Sequence, residues 1–413
     1  MLNQSFDNNT LLKITRRQEI INFSLGRCKA DYSKSLLQIA ELINSESFSF
    51  HSLSSFNFND KKIYKIDSPE EWYALKKISY NLKKLYRIKF SSKDEITSQI
   101  INIITDPSPF RIFRLDVKDF FESIDLADVI KKIKNDNLLS FSNVRILDVL
   151  QNTEELKDSG LPRGLSISSV MSEIYMSEID KEIRYLPQIY YYARYVDDII
   201  IITHNNLYKI EDFEKIFSRK KMQLNKKSKC IITSNPESQQ NKSNKLDFLG
   251  YSYLIHDALT KNNVRDVSIN PSDKKIKKIK SRIIKSLISF AYKKDKELIL
   301  NRIRFLTGNY YLDNEIILSK KFEFDSSDQN KLKGGIYYNN KHINDNIKLY
   351  ELNSFLRSLL YCKRDNFIGR VVKEIPPSLC REISSYNFAF GFEKKIIHSF
   401  TESEIKKICE CWM

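Results

Sequence analysis

The sequence predicts an α+β chain of several lobes, and three observations lead there. Residues 112–115 and 190–203 are dense in β-branched and aromatic side chains, which reads as strand. Segments with helical periodicity lie between and after them. With 413 residues, 41% hydrophobic and 12% aromatic, the chain can build more than one core and is not disordered as a whole.

Taken in order, residues 11–43 carry mixed helical periodicity, and a Ser/Phe/Asn-rich stretch at 45–59 interrupts it. A second helix is expected over 69–85, with Trp72, Leu75, Ile78 and Leu82 on one face. Strand 112–115 follows, then helices over 126–150 and 168–185. Strands within 190–203 form a hairpin around Asp197 and Asp198. After Tyr253 the texture turns helical and basic: Pro271-Ser272-Asp273 is a start signal, and Ile276, Ile279, Ile283, Leu287 and Phe290 recur at helical spacing. Lys274, Lys275, Lys277, Lys278, Lys280, Arg282 and Lys285 crowd the other faces, as a helix that grips a phosphate backbone would. From about 311 a further helical region runs to the end, broken at Gly334-Gly335 and finishing with a capping box from Thr401 to Glu404.

The formal net charge of +16 points to a polyanionic partner, because lysine and arginine neutralise phosphates and release counterions. The first residues lack the apolar-then-small pattern of a signal peptide, and no apolar run is long enough to cross a bilayer; a cytoplasmic location with no membrane partner is the expectation. Six cysteines at Cys28, Cys230, Cys362, Cys380, Cys409 and Cys411 give neither a disulfide framework nor a paired zinc site.

The chemistry sits in the carboxylates. Asp116 ends an apolar strand, where an acid is awkward unless it meets a charge. Asp197 and Asp198 are adjacent at a turn, and like charges so close resist ionising unless a cation lies between them. Two divalent ions about 4 Å apart suit in-line phosphoryl displacement. Mg²⁺ matches a few hard carboxylates plus substrate phosphates, with Mn²⁺ as the alternative.

On these residues the chain resembles the reverse transcriptases. Asp116-x-x-x-Phe120-Phe121 resembles motif A and Tyr195-Val196-Asp197-Asp198 motif C. Leu161-Pro162-Arg163-Gly164, running on to Ser169, is similar to motif B; Leu224-Asn225 through Cys230 to motif D; and Phe248-Leu249-Gly250-Tyr251 to the primer grip. All occur in the family's order. The resemblance implies a right-hand polymerase: an N-terminal helical region and fingers over 1–110, a palm over 111–255, a helical thumb over 256–310 and a helical C-terminal extension over 311–413. It implies metal ligation by Asp116, Asp197, the Val117 carbonyl and, in support, Asp198. Phe121 would exclude a ribose 2′-OH, Gly164 would let the backbone approach the template–nucleotide pair, and Lys229 would meet the leaving pyrophosphate. Arg87 and Lys89, in the basic segment 83–89, would hold the triphosphate.

Two departures stand out: Arg163 replaces the usual Gln and Ser169 the usual Pro, and an arginine cannot copy an amide's donor–acceptor pattern. With them the chain is most similar to the abortive-infection and defence-associated (unknown-group) bacterial branch. That implies antiphage defence, with a structured noncoding RNA as template or scaffold, a DNA product and dNTPs as substrates. A companion protein or self-assembly stays open. Two alternatives remain: an RNA-dependent RNA polymerase, disfavoured by Phe121 and Tyr195, and a palm that binds RNA without catalysis. Only five histidines argue against an added His-Asn-His nuclease, and no RNase H constellation follows the palm.

Overall fold

Apolar spacing and chain breaks resolve into two compact units, each with its own buried side chains. The computed structural model describes residues 2–157, 159–204, 207–225, 230–234, 243–312 and 332–412. The first unit takes in Met1–Ser92 and Arg111–Ile231, and the second Lys93–Phe110, Ile232–Asn314 and Ser326–Met413.

In the first unit, helices Asn8–Ile14, Lys29–Asn44 and Pro69–Leu85 pack through Leu11, Leu36, Ile39, Leu75, Ile78 and Leu82. Ser68 caps the third of these, and Pro69 opens it where its missing N–H costs nothing. Burial wraps more of this helix than the predicted stripe. Trp72 is only half-buried, whereas Lys77 and Asn81 are buried because the Lys77 ammonium donates to Asn3 O at 2.9 Å and Asn81 to Asn143 Oδ1 at 3.0 Å. The Ser/Phe/Asn-rich stretch is not a plain break: it contains strand β1 (Ser54–Phe58), which forms an antiparallel hairpin with β2 (Lys61–Lys65).

The central sheet has the order β4-β5-β3-β6, from β3 (Phe110–Asp116), β4 (Ile189–Tyr195), β5 (Asp198–Thr203) and β6 (Cys230–Ser234). Ile199 through Ile202 are fully buried, so both faces of β5 exclude water. On one face Phe113, Leu115, Ile199 and Ile201 join the core made by helices Leu126–Asn135, Phe141–Gln151, Ser168–Arg184 and Ile210–Arg219. The single helix expected over 126–150 is two, because the chain turns at Asn137 with a left-handed φ of 50°.

The second unit begins its sheet with an antiparallel meander of β7 (Ser243–Phe248), β8 (Tyr251–Leu259) and β9 (Arg265–Pro271). The texture after Tyr253 is therefore not yet helical. Tyr251, Tyr253 and Ile255, then Val267 and Ile269, are buried at period two, and the helix starts only at Asp273. Helices Asp273–Lys293 and Lys296–Thr307 follow. The C-terminal region is mostly helical but also holds a small sheet, β11-β10-β12, from β10 (Asn309–Leu312), β11 (Leu332–Gly335) and β12 (Ile397–His398). Helix Lys93–Thr105 belongs here rather than with the N-terminal helices. The reason is Arg265, fully buried, whose guanidinium donates to the carbonyls of Ile104 at 3.2 Å and Ser108 at 3.0 Å and stacks on Phe110. Among the described residues no helix is long and apolar enough to cross a membrane.

Candidate active site

The register of the central sheet gathers the acids. In β3 and β5 Asp116 stands directly opposite Asp198, and in β4 and β5 Tyr195 is opposite Asp198. Val196, at φ 60°, makes the tight turn that leaves Asp197 at the hairpin tip. The tip is tied down: Val117 N–H donates to Asp197 O at 3.3 Å. Asn225 follows from the motif resembling D and holds Asp116 twice, through its N–H to Asp116 O at 2.7 Å and its side-chain amide to Oδ2 at 3.2 Å. Leu224 bridges Val117. Lys226 through Lys229 lie outside the described residues, and the role expected of Lys229 with them.

Burial, together with Asp198 and Asp116 nearby, pushes the Asp197 carboxyl above its ordinary range. Arg114 stands 3.4 Å from Asp198 Oδ1. Three carboxylates at adjoining strand ends, one of them reluctant to ionise, fit a hard divalent cation. The described ligand-type group whose donor atoms all lie within 4.8 Å is elsewhere, at His51, Glu70 and Glu71. There Glu71 already accepts the N–H groups of His51 and Ser52 at 3.0 and 2.8 Å, which accounts for its burial without an ion.

A buried fork behind the hairpin escaped the sequence reading. Arg194, on β4, binds Glu173 through both terminal nitrogens at 2.9 and 2.7 Å and Asp180 at 2.8 Å, and reaches Val196 O at 3.2 Å. Although burial opposes it, Asp180 and Glu173 hold the guanidinium firmly charged. The spacing of Glu173 and Asp180, two turns apart on helix Ser168–Arg184, was the available signal.

Phe121 is half-buried and meets Phe120 edge-on at 5.2 Å. The Arg163 guanidinium lies 5.0 Å over its ring and pairs with both oxygens of Glu122, at 3.2 and 3.1 Å. The Gln-to-Arg departure thus has a local partner. Burial raises the Glu122 carboxyl, but Arg163, the Glu122 backbone N–H and Lys61 together hold it below its usual range. On the hairpin, Lys61 pairs with Asp119, and Tyr64 N–H donates to Arg163 O at 2.7 Å. Gly164, at φ 103°, is required here because a β-carbon would come 2.4 Å from Tyr64 O, on strand β2. Lys61, on strand β2, and Arg163 are paired with acids of the Asp116 segment, whereas Arg87 and Lys89 stand exposed just past helix Pro69–Leu85.

The segment resembling the primer grip lies in the second unit. Leu249 and Gly250, at φ 46° and 81°, form the turn between β7 and β8, where Phe248 pairs with Tyr251. The basic helix forms as expected, but its cations divide. Lys274, Lys277 and Lys278 are exposed, whereas Lys280 lies 5.1 Å over Phe355, Arg282 lies 4.9 Å over Trp412, and Lys275 turns inward.

Against known proteins, residues 49–253 match the family described as reverse transcriptase (RNA-dependent DNA polymerase). Over this segment, which is just under half of the chain, the protein is similar to reverse transcriptase domains. No curated protein sequence matches the chain. Similar solved structures include apo telomerase from Candida tropicalis, at 14% identity and TM-score 0.38, covering 89% of this chain and 62% of that one. A form of it truncated from the C-terminal domain aligns at 17% identity and TM-score 0.32, covering 61% and 50%. Telomerase from Candida albicans in complex with a fragment of telomeric RNA aligns at 15% identity and TM-score 0.34, covering 81% and 50%. The chain thus spans half to about three-fifths of the length of these structures.

Proposed function

We propose that the chain is an RNA-directed DNA polymerase whose reaction centre is Asp116, Asp197 and Asp198. The observation that carries this reading is the opposition of Asp116 and Asp198 across β3 and β5 with Asp197 at the adjoining tip, inside a segment similar to reverse transcriptase domains. Asp116, Asp197 and the Val117 carbonyl would hold Mg²⁺ or Mn²⁺, with Asp198 supporting. Such ions lower the pKa of an attacking hydroxyl and neutralise the leaving pyrophosphate. The chain's own residues position this centre: Asn225 fixes Asp116, and Arg194 fixes the hairpin through Val196 O. Phe121 presents a ring with no donor or acceptor for a 2′-OH, so the sugar would be selected by shape. Arg163 and Lys61 supply positive charge near it, at present engaged by Glu122 and Asp119.

The resemblance of the motifs to the defence-associated bacterial branch supports a role in antiphage defence, with a structured noncoding RNA as template or scaffold. Exposed Lys274, Lys277 and Lys278 would contact its phosphates. The alternative of an RNA-directed RNA polymerase differs in the sugar it accepts. Primer extension on an RNA template by the Asp197→Ala, Asp198→Ala double variant tests the reaction centre. Incorporation should vanish while RNA binding and thermal unfolding stay close to wild type; undiminished extension would sink the assignment.

A further inference from the structure

Helix Ile347–Leu360 of the second unit buries Leu349, Leu352, Leu356 and Leu360 along one stripe. A second stripe, carrying Tyr350, Arg357 and, at the C-cap, Tyr361, is left to solvent. At 1.5 Å of rise per residue the two tyrosines stand about 16 Å apart along the axis, the span of a few nucleotides. The chain then turns through exposed Arg364 into helix Phe367–Lys373, where Phe367 and Arg370, one turn apart, are exposed as well. Tyr350, Tyr361 and Phe367 are each more than half exposed.

This turn is held firmly. Asn366 caps the second helix, its Oδ1 accepting from Gly369 N–H at 2.9 Å. Gly369 admits Arg364 O, which a β-carbon would meet at 1.8 Å. Tyr361 N–H donates to Arg357 O at 3.1 Å, and its hydroxyl lies 3.2 Å from Ser384 Oγ, so the ring is fixed by its polar end. The charge is one-sided: residues 354–373 hold five basic residues and one acid. Lysines around them are met by acids, Lys348 by Glu351 at 3.2 Å, Lys294 by Glu374 at 2.5 Å and Lys296 by Glu382 at 3.2 Å. Among the described residues the side chains of Arg357, Arg364 and Arg370 make no ion pair or hydrogen bond.

From this alternation of rings and arginines we infer that the surface binds single-stranded nucleic acid, its bases on Tyr350, Tyr361 and Phe367 and its phosphates on Arg357, Arg364 and Arg370. The surface lies outside residues 49–253, and the inference goes beyond the proposed polymerase activity and does not depend on it. Phosphates call for free cations, and unpaired bases stack on rings whatever their sequence. An acidic peptide would neutralise the arginines but leave the rings in water, and a duplex would offer phosphates without open base faces. The strand has two sources, RNA or DNA.

Fluorescence anisotropy on the full chain tests this, in buffer with a metal chelator. The probes are a short unstructured oligoribonucleotide carrying 4-thiouridine, its deoxy counterpart and an RNA duplex. The single strand should bind and, on irradiation, crosslink within residues 350–370. Tyr361→Ala and Phe367→Ala should each weaken it about fivefold or more and lose that crosslink, while Tyr361→Phe retains both. Replacing the three arginines together by Gln should flatten the slope of log affinity against log salt by about two. Binding of the duplex should be indifferent to the ring substitutions, and whichever of the two single strands binds more tightly names the source. The same losses are expected in the Asp197→Ala, Asp198→Ala variant, so a failure of the proposed reaction centre leaves this result standing. The proposal is overturned if no crosslink falls in residues 350–370, or if single-strand binding ignores both ring substitutions in variants that unfold as wild type does. Polyglutamate bound as tightly as the single strand, with equal losses in the arginine variant, would overturn it in favour of an acidic protein partner.

Discussion

The strand ends of the first unit and the surroundings of Gly250 in the second both gather like charges, but of opposite sign and by different routes. The aspartates come from two short motifs, and sheet register alone sets Asp116 opposite Asp198. The lysines, Lys93 and Lys275, come from helices Lys93–Thr105 and Asp273–Lys293, far apart in sequence, and come near each other because Gly250, lacking a β-carbon, lets the Lys275 side chain pass against it. A cluster written into neighbouring residues can be read before folding. One assembled from distant segments cannot, since each lysine by itself looks like a solvated helix face.

Substitutions that strike one gathering and spare the other sharpen this contrast. The largest effect belongs to Asp116. Asp116→Asn keeps the shape and removes the charge, and incorporation measured by primer extension should fall by about three decades or more, with RNA binding and thermal unfolding untouched. A fall in all three together would mean a global defect and break the distinction. Next is Phe121→Ala, which removes the ring beside Arg163. The ratio of ribonucleotide to deoxynucleotide incorporation should rise by about a hundredfold, and an unmoved ratio would return Phe121 to a packing role.

A smaller change follows from Glu122→Gln. Freeing Arg163 from its carboxylate loosens the stack on Phe121, so the same ratio should move by about two- to fivefold. Combined with Arg163→Gln, the effect should be less than the product of the two, because both act on one contact. Independent, multiplicative effects would show that the pair does not brace the ring.

The smallest effect probes the cost of the lysine pair. Lys275 has its folded value lowered to about 8 from an ordinary 10.5, so its uncharged form is favoured by folding. That contribution is present above the unfolded value and is lost as pH falls toward 8. The melting temperature of Lys275→Met relative to wild type should therefore be highest below pH 8 and decline as pH rises toward 10.5. A difference that is flat with pH would mean that Lys275 is not held against its charge.

What was legible in the sequence follows the same division. The acid hairpin, the strand before it and the basic helix all rest on local spacing, and they form as expected. The two strands β8 and β9 were hidden because residues after Tyr253 alternate weakly, and their polar positions resemble the basic texture that follows. The allegiance of helix Lys93–Thr105 was hidden too, since it depends on Arg265 finding backbone carbonyls far back in the chain. Arg163 looked like a departure from the family pattern until Glu122 and Phe121 appeared beside it. Phe121 and Glu122 sit in the first motif and Arg163 in another, so neither segment alone discloses the contact. Arg194 likewise reads as an ordinary strand residue until Glu173 and Asp180 close around it.

The measurement closest to the central claim is the choice of sugar by the wild-type chain. On an RNA template with a matched primer, incorporation of dNTPs and rNTPs should be compared side by side at equal concentrations with Mg²⁺. The account predicts that deoxynucleotides are favoured by about two decades or more, since in the proposed role the Phe121 ring would leave no room for a 2′-OH. Equal use of the two, or a preference for ribonucleotides, would contradict an RNA-directed DNA polymerase and favour an RNA-directed RNA polymerase.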